Sequence, residues 1–186
     1  MPPLPAVVFQ HYRQPRNQGR VAGGTLVVLE GRMEDAEIHF YVRRDPGDLI
    51  RVGYELIRDR SPVAPLSLLT SLIQGKPIAD AEALTLEQFA EHYDLDEEIY
   101  PNLLIALEAL QAGLAALRGE PDPFRDDGAL ICHCLHVREG RIRRLIRERQ
   151  LKTLPEVRFW TRACSGCRSC REDLEEILES EERLSS

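Results

Sequence analysis

The chain has 186 residues, a net charge of −7 and 43% apolar residues; this length allows one or two domains with a buried core, and the acidic balance argues against a protein that coats nucleic acid. Met1-Pro-Pro-Leu-Pro has no basic n-region and no apolar h-region, so no secretory signal is expected. The longest apolar stretch, Leu103 to Leu117, contains Glu108 and Gln111 and is short for a bilayer, which points to a soluble, cytoplasmic protein, where paired cysteines bind metal more often than they form disulfides.

In chain order, Ala6 to Tyr12 reads as a short helix ending before Pro15. Residues 25–30 and 36–43 have strand composition, and Ile50, Val52, Tyr54 and Leu56 alternate with Arg51, Gly53 and Glu55, the period of a half-buried strand. Asp45-Pro-Gly-Asp between the last two runs signals a hairpin turn. After Pro62 the pattern becomes helical, with Leu68, Leu69, Leu72 and Ile73 on one face and Gly75 as the stop. Thr85-x-x-Gln88 reads as a capping box. Leu103, Leu107, Leu110, Leu114 and Leu117 follow 4-3-4-3 spacing, a leucine stripe expected to pack on the sheet of its own domain.

Residues 118–128, Arg-Gly-Glu-Pro-Asp-Pro-Phe-Arg-Asp-Asp-Gly, break helices and read as a linker. The expected division is residues 1–118, a linker at 119–128, and residues 129–186. The last part reads as helical: Ile142, Leu145 and Ile146 mark a helix from about Val137 to Arg149, Thr153-x-x-Glu156 caps a second, and Leu174, Ile177 and Leu178 mark a third. So short a segment is marginal for a lone apolar core, and a metal staple would supply stability.

All five cysteines lie after residue 131, four of them as Cys132-x-Cys134 and Cys167-x-x-Cys170. Thiolates are soft anionic ligands suited to iron–sulfur clusters and to zinc, and two close pairs can close a cage across a fold. A four-cysteine zinc knot stays open as an alternative, disfavoured by the C-x-C pair. From Arg138 to Arg171 there are eleven Arg or Lys and three Glu, a charge that would stabilise an anionic centre and offer a face to an acidic partner. His133 and His136 flank the first pair and read as surface or supporting groups.

The arrangement Ile131-Cys-His-Cys-Leu, Arg141-Ile-Arg-Arg-Leu-Ile and Ala163-Cys-Ser-Gly-Cys-Arg-Ser-Cys resembles the bacterioferritin-associated-ferredoxin-like (BFD-like) [2Fe-2S] domain over roughly residues 130–180. The resemblance implies that Cys132, Cys134, Cys167 and Cys170 bind the cluster, with Cys164 an extra thiol, inert or an alternate ligand. Val7-Val-Phe-Gln-His-Tyr-Arg-Gln-Pro-Arg-Asn-Gln-Gly-Arg and Gln74-Gly-Lys-Pro resemble the IscU/NifU N-terminal scaffold family over about residues 5–118. The implied fold class is α+β: a three-stranded antiparallel sheet packed with helices, then a small all-α [2Fe-2S] domain, with no counterpart of the third domain of longer NifU proteins.

That family builds clusters on three cysteines and an aspartate. With Gly75-Lys76 as the anchor, Asp59 falls at the second cysteine position, Met33 and Asn102 near the other two and Asp35 near the aspartate, while His39 and His92 restore no sulfur. Leu95-Asp-Glu-Glu-Ile stands where the chaperone-recognition segment would be. Asp35 and Asp59 are left as a weak residual metal site. The resemblance therefore implies a NifU-like accessory protein of iron–sulfur cluster assembly, with a stable [2Fe-2S] cluster on its second domain and a degenerate first domain that docks a cysteine desulfurase, scaffold or client protein. A homodimer is one arrangement it allows. The alternatives are a ferredoxin-like electron carrier or redox sensor, and a zinc-stabilised interaction module. The sequence shows no P-loop, dinucleotide fingerprint, H-E-x-x-H or recognisable Ser/His/Asp spacing, so no enzyme is expected, and neither nucleic acid nor membrane is expected as a partner.

Overall fold

The computed structural model describes residues 5–30, 37–57, 62–124 and 128–185. The described residues up to Pro123 form one compact unit and those from Phe124 onward a second.

In the first unit, α1 (Ala6–Arg13) precedes β1 (Thr25–Glu30), β2 (Glu37–Asp45) and β3 (Leu49–Ile57), a three-stranded antiparallel sheet in the order β1-β2-β3. The period-2 pattern sets its register: Leu29 faces Ile38, Phe40 faces both Val27 and Tyr54, and Val42 faces Val52. Ile38, Phe40, Val42 and Tyr54 are fully buried on this face. At the β2–β3 turn Gly47 and Asp48 take positive φ of 80° and 60°, and Asp45 accepts from Arg43 Nε and Arg51 Nε at 2.7 Å each.

Helices α2 (Val63–Ile73), α3 (Ile78–Glu82), α4 (Leu86–His92) and α5 (Tyr100–Leu117) complete the unit. Just past the end of α2 stands Gly75, whose φ of 73° suits a residue without Cβ, and whose N–H donates to Ile50 O at 2.8 Å. The Thr85/Gln88 capping box opens α4 as expected. The leucine stripe of α5 understates its burial: Ile105, Ala106, Ala109, Ala112 and Ala115 are buried as well as Leu103, Leu107, Leu110 and Leu114. An ideal Cβ on Gly113 would come within 3.1 Å of Val42 and 3.2 Å of Phe40, so the missing side chain lets the helix approach the sheet closely. A helix apolar all round belongs inside a core. By length and composition alone Glu97–Leu117 is apolar enough to cross a membrane, but 72% of that window is buried.

The residues that carry the resemblance to the IscU/NifU N-terminal family prove architectural. His11 is buried, with Nδ1 2.7 Å from Ser67 Oγ, and the Arg16 N–H donates to the same hydroxyl at 2.8 Å. The following backbone lies along β3: Gly19 N–H donates to Tyr54 O at 2.7 Å and Tyr54 N–H to Asn17 O at 3.3 Å. Gly53 is needed beneath it, because a Cβ there would stand 2.5 Å from Gly19 O. Burial, helped by the Arg16 charge and opposed by the Ser67 hydrogen bond, lowers the His11 pKa below its ordinary 6.5.

In the second unit β4 (Leu130–Cys132) pairs antiparallel with β5 (Val137–Arg138), followed by α6 (Glu139–Arg149), α7 (Leu154–Thr161) and α8 (Arg171–Ser185). The all-α expectation for this part therefore gains a two-stranded ribbon; its strands are too short to show a period in the sequence. Val137, Ile142, Leu145, Val157 and Leu174 form its core. The Thr153/Glu156 capping box opens α7. Glu181, 2% exposed, is clamped by Arg143 Nη1 at 2.8 Å and Arg147 Nε at 2.6 Å.

Candidate metal centre

The β4–β5 ribbon supplies the first cysteine pair. Cys132 ends β4, buried opposite Val137, while Cys134 sits exposed in the connecting turn before His136, which has φ 51°. The second pair comes from the loop between α7 and α8. There Arg162, Cys164 and Arg168 all take positive φ, of 63°, 61° and 63°, coiling the chain tightly. The Ala163 N–H donates to Thr161 Oγ1 at 3.1 Å and holds the start of the loop. Cys170 is buried at the start of α8, its carbonyl accepting from the Leu174 N–H at 3.1 Å.

These elements bring all four expected cysteines together. Cys132 Sγ lies 3.8 Å from Cys134 Sγ, and Cys167 Sγ lies 3.4 Å from Cys134 Sγ. The buried Cys170 thiol interacts electrostatically with that of Cys132. No disulfide joins any of the five. Among the described residues no three His, Cys, Asp or Glu side chains are gathered around a point as for a single metal ion; the thiols instead form a chain of pairwise sulfur contacts.

The ligand candidates differ in exposure. Cys132 and Cys170 belong to the core, whereas Cys134 and Cys167 face outward. The Ser169 hydroxyl, 3.2 Å from Cys167 Sγ, and then the Ser169 backbone N–H hold the Cys167 thiol down at about 7. Burial, followed by the Cys132 thiol, pushes Cys170 up to about 12. Such a thiol gives up its proton when a metal takes its place. Cys164 is buried, and its backbone opposes the upward shift of Cys170. Gly166 is a site residue the sequence reading missed: a Cβ there would lie 3.0 Å from Cys134 Sγ. The donor set fits a four-thiolate cluster, with Gly166 keeping space at one sulfur.

The basic character expected of this segment is largely neutralised. α8 carries seven acidic residues, which follow the Arg-rich stretch 138–171. Glu181 takes Arg143 and Arg147, and Glu175 takes Arg171 at 2.9 Å. Arg168 remains exposed inside the cysteine loop. His133 is exposed.

Asp35, Asp59 and Met33 lie outside the described residues. Asn102 sits in the first turn of α5, His92 is exposed with its ring 4.7 Å from that of Tyr93, and His39 Nε2 pairs with Glu37 at 2.6 Å.

Comparison with known proteins follows the same division. Residues 5–122 match the family model of the NifU-like N terminal domain, and residues 130–180 match that of the BFD-like [2Fe-2S] binding domain. The zinc alternative gains no support from these matches. Among curated relatives, the nitrogen fixation protein NifU of Trichormus azollae is 26% identical over 92% of this chain and 61% of its own length. That of Azotobacter chroococcum is 28% identical over 94% of this chain and 58% of its own. The chain thus spans about three fifths of the length of these relatives. A crystal structure of the N-terminal part of a NifU-like protein from Brucella abortus aligns with a TM-score of 0.48 at 8% identity, covering 62% of this chain and 94% of that one.

Proposed function

The chain belongs to the family of the NifU-like N terminal domain, and from that premise we propose an accessory protein of iron–sulfur cluster assembly, with a [2Fe-2S] cluster held stably by the second unit and a first unit that binds a protein partner without building clusters. The observation that carries this reading is the contact among the sulfurs of Cys132, Cys134 and Cys167, with the buried Cys170 thiol coupled electrostatically to that of Cys132. These four residues would hold the cluster, which when bound supplies one-electron chemistry. Cys132 and Cys170 anchor the site to the core, while Cys134 and Cys167 present its outer side to a partner.

The first unit keeps the shape but contains no thiol, since the first cysteine of the chain is Cys132. Its use is then as a docking surface for a cysteine desulfurase, a true scaffold or a client protein, and the reading needs no substrate chemistry. The exposure of Cys134 and Cys167 also favours a second reading, electron transfer to a partner outside cluster assembly. The two separate on whether the protein changes the rate of cluster delivery to a client.

The deciding experiment is anaerobic purification of the full chain with iron, sulfide and zinc analysis and a visible spectrum before and after dithionite. About two irons and two sulfides per chain, with thiolate-to-iron bands that bleach on reduction, are expected. One zinc with no sulfide and no colour would overturn the proposal.

A further inference from the structure

Cys167 is the exposed ligand candidate with a hydroxyl beside it. Ser169 Oγ lies 3.2 Å from its sulfur, and among the described residues this is the hydroxyl found at hydrogen-bond distance from one of the four sulfurs. Cys134 meets only thiols among side chains, at 3.4 Å and 3.8 Å. The Ser169 position is fixed from both sides: Arg168 before it takes φ 63°, and Cys170 after it is tied into the first turn of α8 by the 3.1 Å bond from the Leu174 N–H. Beside a metal-bound thiolate, which has no proton to give, the hydroxyl must be the donor.

Resting on the function proposed above, we infer that Ser169 is a positioning residue that raises the reduction potential of the centre by donating a hydrogen bond to the Cys167 thiolate. One-electron reduction adds a negative charge that spreads onto the thiolates. A donor at a sulfur therefore stabilises the reduced form more than the oxidised form, and hydrogen bonds to sulfur are among the levers that set such potentials. Ser169 is itself exposed, so the hydroxyl competes with water and its contribution is modest.

The test is the midpoint potential of the anaerobically purified full chain, measured by optical titration, for the natural protein, Ser169→Ala, Ser169→Thr and Ser165→Ala. Ser169→Ala is expected to shift the one-electron equilibrium about threefold to tenfold toward the oxidised form, a potential ~30–60 mV more negative, with iron and sulfide content unchanged. Ser169→Thr restores the natural potential, and Ser165→Ala, an exposed serine elsewhere in the loop, leaves it unmoved. If Ser169→Ala loads poorly, Ser169→Val against Ser169→Thr repeats the comparison at equal bulk. A fully loaded alanine or valine variant with the natural potential overturns the inference while leaving the proposed function standing. A natural chain that binds no iron overturns both.

Discussion

The two units put their motif residues to opposite uses. In the first, a large apolar core around α5 secures the fold, and its polar motif serves shape: His11 and the Arg16 amide meet at Ser67, and the Asn17–Gly19 backbone lies along β3. In the second, the apolar core is thin, and three thiols, Cys132, Cys164 and Cys170, are themselves part of it. A unit with core to spare can lose its ligands and still fold. A unit whose ligands are core cannot lose them without losing structure, because metal binding and folding are then one free energy.

Removing a ligand is the sharpest way to break this comparison. Cys170→Ser is expected to abolish the native centre, read as loss of visible absorption and of bound iron. It should also loosen the second unit, read by Trp160, the single tryptophan of the chain. Replacing Cys132, Cys134, Cys167 and Cys170 together by serine should leave the full chain without iron after incubation with a desulfurase, iron and cysteine. Amide hydrogen exchange should then show the first unit still protected. A [2Fe-2S] product on that variant would mean that the first unit builds clusters after all.

Gly166→Ala is a smaller lesion. It sets a Cβ 3.0 Å from Cys134 Sγ, so that sulfur must shift by a few tenths of an ångström, and is expected to lower iron content per chain without touching the first unit. Smaller again is a pH effect confined to the first unit. Burial holds the folded His11 pKa below the ordinary 6.5, so the unfolded chain binds the proton more readily. The stabilisation from keeping His11 neutral is present above pH 6.5 and is lost as pH falls from there through the lower folded value. Thermal melts of the first unit at pH 7 and pH 5 should show this loss, and His11→Gln should flatten it. The smallest effect is expected from Cys164→Ser: a visible spectrum unchanged from the natural protein. Loss of the centre in that variant alone would move the ligand assignment from Cys170 to Cys164.

Much of the first unit was legible from local chemistry. The alternation through Ile50–Leu56, the Asp45-Pro-Gly-Asp turn, Gly75 and the Thr85/Gln88 box each act within a few residues, and each stands in the structure where the pattern put it. The β4–β5 ribbon was not legible, because a pair of strands this short exists only through pairing across Cys132 and Val137. Nor was the pairing of charges in the second unit, since Arg143 and Arg147 meet Glu181 from far along the chain.

By itself the sequence determined the family, the order of the main elements of the first unit and the identity of the thiols, because residue type and spacing decide which ligands are available and which local turns close. Only the tertiary structure decided that Cys132 and Cys170 are buried while Cys134 and Cys167 face outward, that Gly166 makes room for a sulfur, and that Ser169 reaches Cys167. Burial and sulfur contact depend on how the ribbon and the α7–α8 loop meet in space, and no spacing along the chain encodes that distance.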